Sequence, residues 1–384
     1  MNASPTTTPH RPSPRPVRRW CIVPLTFALA LVVIACGEPG RNDDASSAGA
    51  PNEATEVEQE DVRGTTIRVV THDSFNVTES VLDAFEAQTG INVELVKGGD
   101  AVQIVNQAVL TRENPQGDVL FGIDNNLLTR AYDANLFLPY ESSGLDRVPD
   151  EFELDPDHRV TPIDRGDVCL NFDRSYFATR PVEVPQTLDD LTKPEYENLL
   201  VVENPSTSTP GLAFLLATID VFGESGWQDY WRRLEANGVT VAEGWEQAYY
   251  DLFSGGSGEG EQPLVVSYAS SPPVEVTDPA TPVDESPTGV IPSSCYRQIE
   301  FAGILAGTEH EQAARRFIDF LLSVEFQNDM PGNMFVYPVN QDATLPETFT
   351  KYSAVVDDPL LLAPEDVGMN RDTWIEQWTR IFGS

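Results

Sequence analysis

The feature that most constrains the fold is an alternation of strand and helix signals over residues 65–126. Thr65-Thr66-Ile67-Arg68-Val69-Val70-Thr71 is β-branched and strand-like, and it ends at His72-Asp73. Asn76 with Glu79 forms a capping-box pattern ahead of an apolar face of Val81, Leu82 and Phe85, and Gly90 stops that helix. Ile91, Val93 and Leu95 then alternate as a strand, Gly98-Gly99 turns the chain, and Asp100 with Gln103 caps a helix carrying Ile104, Val105, Ala108 and Val109. Asp118 to Ile123 is a third, buried strand running into Asp124-Asn125-Asn126. A β-α-β-α-β-α order predicts an open parallel sheet. In such sheets ligands sit beyond the carboxyl ends of the strands, where His72, Asp73, Asp100 and Asp124 all fall.

A second α/β stretch follows an extended segment over 160–172. Its centre is Val201-Val202-Glu203-Asn204-Pro205-Ser206-Thr207-Ser208-Thr209-Pro210-Gly211, a strand, a hydroxyl-rich loop and a helix N-terminus. Free amides and partial positive charge make such a terminus an anion seat, with Ser208 and Thr209 hydroxyls assisting. The same hydroxyls also serve as a plain helix cap, and taken alone the stretch favours the cap. Trp245 after Gly244 and Tyr268 before Ala269-Ser270-Ser271 place aromatics at strand ends, where they either pack the core or sandwich a flat cationic ring. Thr308 with Glu311 predicts a capped helix through Phe317 and Leu321, and Trp374, Ile375 and Trp378 predict a last helix over 371–381. No nucleophile elbow, nucleotide loop, His-x-x-x-His or Cys-x-x-Cys is present, so no catalytic residue, metal site or cofactor is implied.

The N-terminus reads as an export signal. Arg11, Arg15, Arg18 and Arg19 precede the apolar run Cys21 to Ile34, and Val33-Ile34-Ala35-Cys36-Gly37 resembles a bacterial lipobox. Residues 1–35 are therefore expected to be removed, Cys36 lipidated, and residues 36–64, acidic and poor in apolar side chains, to form a disordered tether at the outer face of the cell membrane. Without the four signal arginines the chain holds 20 basic residues against 61 acidic, a formal charge of −41. A phosphate backbone would be repelled, which argues against nucleic acid as a partner. Roughly 320 residues remain, enough for two lobes. Cys169 and Cys295 are the cysteines left, and in an oxidising compartment such a pair reads as a disulfide.

Taken in order, Gly122-Ile123-Asp124-Asn125-Asn126-Leu127-Leu128, Ser206 to Gly211, Gly244-Trp245-Glu246-Gln247-Ala248-Tyr249, Ser267-Tyr268-Ala269-Ser270-Ser271-Pro272 and Glu325-Phe326-Gln327-Asn328 resemble the thiamine-binding proteins of bacterial ABC importers. The resemblance implies a two-lobed periplasmic binding protein fold with a mixed α/β sheet in each lobe. Residues 65–165 with 296–384 would form lobe 1 and residues 166–295 lobe 2, joined by two crossover strands that the Cys169–Cys295 bridge would pin. It implies a monomeric, non-enzymatic protein that hands thiamine, or its mono- or diphosphate, to an ABC permease. The ligand contacts carried over are Asp100, Ala101, Ser208, Thr209, Trp245, Tyr268, Ala269, Ser270 and Ser271, with His72 and Asp124 as further candidates. Asp100 would accept from the aminopyrimidine, Trp245 and Tyr268 would face the rings, and Ser208 and Thr209 would hold the hydroxyl or phosphate end.

The chain also departs from that pattern. His72 stands where a tyrosine can face the ligand, no tryptophan lies between Phe75 and Thr78, and Val274 replaces a tyrosine, so a thinner aromatic cage is expected. Two alternatives stay open: a thiaminase-like enzyme on the same fold with Cys169 as its nucleophile, and a ferric-iron binder using Tyr249-Tyr250.

Overall fold

The computed structural model describes residues 61–276, 283–354 and 356–383; the signal, Cys36 and nearly all of the expected tether lie outside them. Among the described residues ten strands form one sheet: β1 (Thr66–Thr71), β2 (Asn92–Lys97), β3 (Val119–Asp124), β4 (Phe137–Leu138), β5 (Thr161–Asp173), β6 (Leu200–Glu203), β7 (Thr240–Ala242), β8 (Leu264–Tyr268), β9 (Thr288–Leu305) and β10 (Tyr337–Pro338). The order is β2-β1-β3-β9-β5-β8-β6-β7, with β4 on β9 and β10 on β5.

The sheet is mixed for a topological reason. The triplet β2-β1-β3 is parallel, as the helical crossovers between its strands require, and so is β8-β6-β7. Between them run β5, of 13 residues, and β9, of 18, antiparallel to each other from Thr161↔Ala302 to Asp173↔Thr288. These two strands join the halves. Cys169 and Cys295 sit on them beside a register shift and are disulfide-bonded, with Cα atoms 4.2 Å apart.

The helix Thr209–Phe222 is apolar on every side, and all its residues from Thr209 to Ile219 are buried. It packs on the helix Trp227–Ala236, whose Trp227, Tyr230, Trp231 and Leu234 are also buried. Gly90 ends the helix Glu79–Thr89 at φ 73°, the left-handed cap that glycine favours.

Local signals failed where a distant residue supplied a better acceptor. Asn76 is not the cap of that first helix: Thr78 occupies the position, and its amide and hydroxyl donate to Asp329, at 2.8 and 2.6 Å, while Asn76 donates to Asn333. Thr308 likewise does not cap the helix Glu311–Leu321, because its hydroxyl donates to Asp118 instead. The last helix begins at Pro364, a favoured first-turn residue, rather than near 371.

Candidate functional site

A cleft of about 190 Å³ opens at the carboxyl ends of β1, β2 and β8, between the two parallel triplets. Of the residues read from the sequence it is lined by His72, Asp100, Ala101, Thr209, Trp245 and Tyr268. Glu300, Tyr250 and Phe335 are also among its walls, and the exposed Lys97 and Glu246 add charge.

Asp100 is the residue whose role changes most. It caps the helix Ala101–Leu110 through Oδ1, which accepts from the Ala101 amide at 2.6 Å. The same carboxylate reaches the other half of the sheet, where Oδ1 accepts from the Thr209 amide and Oδ2 from the Trp245 amide, both at 3.1 Å. The anion seat read at the start of the Thr209 helix is thus filled by the protein's own carboxylate. Burial raises the Asp100 pKa to about 6, against the opposing pull of hydrogen bonds from Ser208, Trp245 and Thr209.

Ser208 is fully buried and does not line the cleft; its hydroxyl caps the helix, accepting from Gly211. Ala269, Ser270 and Ser271 lie beneath the site, not in it. Ala269 packs against the disulfide, Ser270 donates to the Phe335 carbonyl, and Ser271 holds both the Tyr268 amide and the Ser267 hydroxyl. Asp124 is fully buried, accepts from the Asn126 amide and side chain, and is not among the residues that line the cleft.

The aromatic wall comes from Trp245 and Tyr268, from the Tyr249-Tyr250 pair that the sequence offered only for iron, and from Phe335, which it did not single out. Trp245 stacks on Tyr249 with centroids 5.0 Å apart, donates through Nε1 to Ser267 at 2.9 Å, and stands 6.2 Å from the Tyr268 ring. Phe335 meets Trp245 edge-on at 5.5 Å, and Tyr250 does so from another side at the same distance. Phe335 adopts φ 61°, a left-handed conformation at the end of a helix, so nothing in its neighbours' periodicity announces its orientation.

Two glycines make room for the floor. A Cβ on Gly166 would stand 2.8 Å from the Tyr268 ring. Gly122, at φ 100° in the bulge of β3, leaves space for the His72 imidazole, which a Cβ there would meet at 2.4 Å. His72 bonds Ser74 through Nδ1 at 2.9 Å, and burial first, with Lys97 second, lowers its pKa to about 4, so it is neutral. Its Nε2 points toward Glu300, 3.9 Å away. Glu300 was missed in the sequence, although an acid between Ile299 and Phe301 in a buried strand is a signal of its own.

Among the described residues no group of three or more His, Cys, Asp or Glu is placed to share a metal ion. The Tyr249 hydroxyl donates to Glu275 at 2.6 Å, and burial drives its pKa well above the ordinary value, so a phenolate there is disfavoured.

The sequence pattern of the family described as bacterial extracellular solute-binding protein matches residues 114–356. A thiamine-binding periplasmic protein of Salmonella typhimurium is 31% identical over 322 residues, covering 82% of this chain and 92% of that relative. A solved periplasmic thiamin binding protein superposes with a TM-score of 0.72 at 30% identity, covering 83% of this chain and 98% of the other. Iron-bound HitA from Pseudomonas aeruginosa superposes with a TM-score of 0.61 at 20% identity over 83% of this chain and 99% of that one, which is a likeness of fold alone.

Proposed function

The chain belongs to the bacterial extracellular solute-binding proteins, and from that premise we propose that it captures thiamine or a thiamine phosphate ester in this cleft and delivers it to an ABC permease. The observation that carries the reading is the pairing of an aromatic wall, Trp245 with Tyr268, and an acidic floor, Glu300, at the junction of the two halves. Thiamine has a flat aminopyrimidine, a thiazolium cation and a hydroxyethyl arm. Aromatic faces attract such a cation, and carboxylates accept from its amine. Residues 65–165 with 296–384 and residues 166–295 act as lobes that move about β5 and β9. A lipid on Cys36 holds the monomer at the membrane; among the described residues no helix is long and apolar enough to cross one.

The protein binds without chemistry in this reading. Cys169, the nucleophile an enzymatic alternative needs, is fully buried and bonded to Cys295. The iron alternative is less suited to the donors, because Tyr249 is committed to Glu275 and the cleft offers no cluster of metal ligands among the described residues.

Calorimetric titration with thiamine, its monophosphate and its diphosphate tests the function, with mass spectrometry of any co-purified ligand beside it. Trp245→Ala should weaken thiamine by about 1–2 kcal/mol, the value of a desolvated cation–ring contact. Trp245→Phe, which keeps a ring, should weaken it less. No heat with thiamine, or equal affinity in Trp245→Ala, would refute this assignment.

A further inference from the structure

Three acids lie side by side across the centre of the sheet. Asp124 on β3 pairs with Glu300 on β9, and Glu300 pairs with Asp164 on β5. Asp124 has its own donors in Asn126, and Arg371 acts on it from the last helix. Asp164 is fully buried, and neither of its oxygens receives a hydrogen bond from a protein donor. A proton shared with Glu300 is what remains to satisfy it. Glu300 accepts a 3.3 Å bond from Gln298 and otherwise turns to the cleft, 6% exposed. Beside it is His72 Nε2, buried and without a hydrogen-bond partner, on a ring that lines the same cleft.

The other groups facing Glu300 offer it nothing positive. Asp100 is engaged with three amides, Tyr268 is a neutral phenol with its pKa far above the usual range, and His72 is uncharged. Lys97 is exposed and acts on His72. Two buried carboxyls without a cation keep a proton between them, because two negative charges at that spacing are not both tolerated in a medium of low polarity. Burial and mutual repulsion accordingly hold Glu300 well above the carboxylate range and raise Asp164 to about 7.

A site built this way lacks a cation with a hydrogen-bond donor. Resting on the thiamine reading of the cleft, we propose that Glu300 recognises the amino-bearing, positively charged face of the ligand, that Asp164 positions it, that His72 Nε2 makes the adjoining polar contact, and that capture expels the proton the two carboxyls share. In the balance of that step, the ligand's N–H donates to Glu300, the ligand's positive charge replaces the shared proton as the neutralising charge, and that proton passes to the buffer. Asp100, which the sequence offered for this role, is left to join the two halves.

The test is calorimetry of thiamine binding to the mature protein at one pH in two buffers of different ionisation enthalpy. The wild type should show heats that differ between buffers in the sense of proton release, and an affinity that rises with pH. Glu300→Gln should weaken thiamine at least tenfold, the equivalent of one hydrogen bond to a charged group, and abolish the buffer dependence. Asp164→Asn should remove the proton release. A readout that needs no mutation is the thiamine analogue whose pyrimidine amine is replaced by oxygen, which the wild type should bind at least tenfold more weakly. Thiamine binding with buffer-independent heats, or equal affinity for amine and oxygen forms, overturns this inference and leaves the proposed function standing. A wild type that binds no thiamine overturns both.

Discussion

At Asp100 one carboxylate satisfies amides from three separate stretches of chain, two of them 109 and 145 residues away. Hydrogen bonds to a charged group contribute about 1.5–3 kcal/mol each, more than neutral ones. Asp100→Asn keeps a single acceptor oxygen and should lose stability of that order in chemical denaturation. Asp100→Ala is the more telling substitution, because it leaves the Thr209 and Trp245 amides open at a helix N-terminus. Inorganic phosphate should then raise the melting temperature of the variant and not of the wild type; an equal response in both would mean that Asp100 does not fill an anion seat. Ser208, by contrast, should act on stability alone, since its hydroxyl is buried as a cap.

At the scale of the strands, the acids across β3, β9 and β5 make the fold sensitive to pH. Burial raises Asp124 and Asp164 from 3.8 to about 7 and Asp100 to about 6, so between these limits the folded chain binds more protons than the unfolded one. Stability is then fully present below the unfolded value and is lost as pH rises through the folded one. His72, lowered to about 4, works in the opposite sense, as one group against several. The ligand-free protein should therefore melt at a higher temperature at pH 5 than at pH 8, and Asp164→Asn should flatten that slope. A melting temperature that climbs from pH 5 to pH 8 would contradict the assignment. The disulfide acts on the same pair of strands. It links residues 126 apart in sequence, and a loop of that length corresponds to about 4–5 kcal/mol of chain entropy. Reduction should lower the denaturation midpoint accordingly, with native-like circular dichroism retained at low denaturant.

For the whole molecule, the two halves meet at the cleft and are joined by β5 and β9, so a ligand seated there stabilises the folded chain by mass action. At a hundredfold excess over its dissociation constant, thiamine should add about 2.7 kcal/mol, read as a saturable rise in melting temperature. Small-angle scattering should show the radius of gyration contract over the same titration, and a rise in stability without contraction would argue against movement of the lobes.

The sequence alone determined the order of elements, the parallel character of the first three strands and the placing of His72, Asp100, Trp245 and Tyr268 at strand or helix ends. These follow from periodicities of two and 3.6 residues and from glycine and cap signals, all of which act within a few residues. Tertiary structure decided the rest of the site. Which side chain a carboxylate meets depends on strand register and on pairings more than a hundred residues apart, which no local pattern encodes. Hence Asp100, at the edge of the cleft, came to hold the Thr209 and Trp245 amides, Ser270 and Ser271 fell beneath the cleft, and Glu300 came to its floor only because β9 runs between β3 and β5.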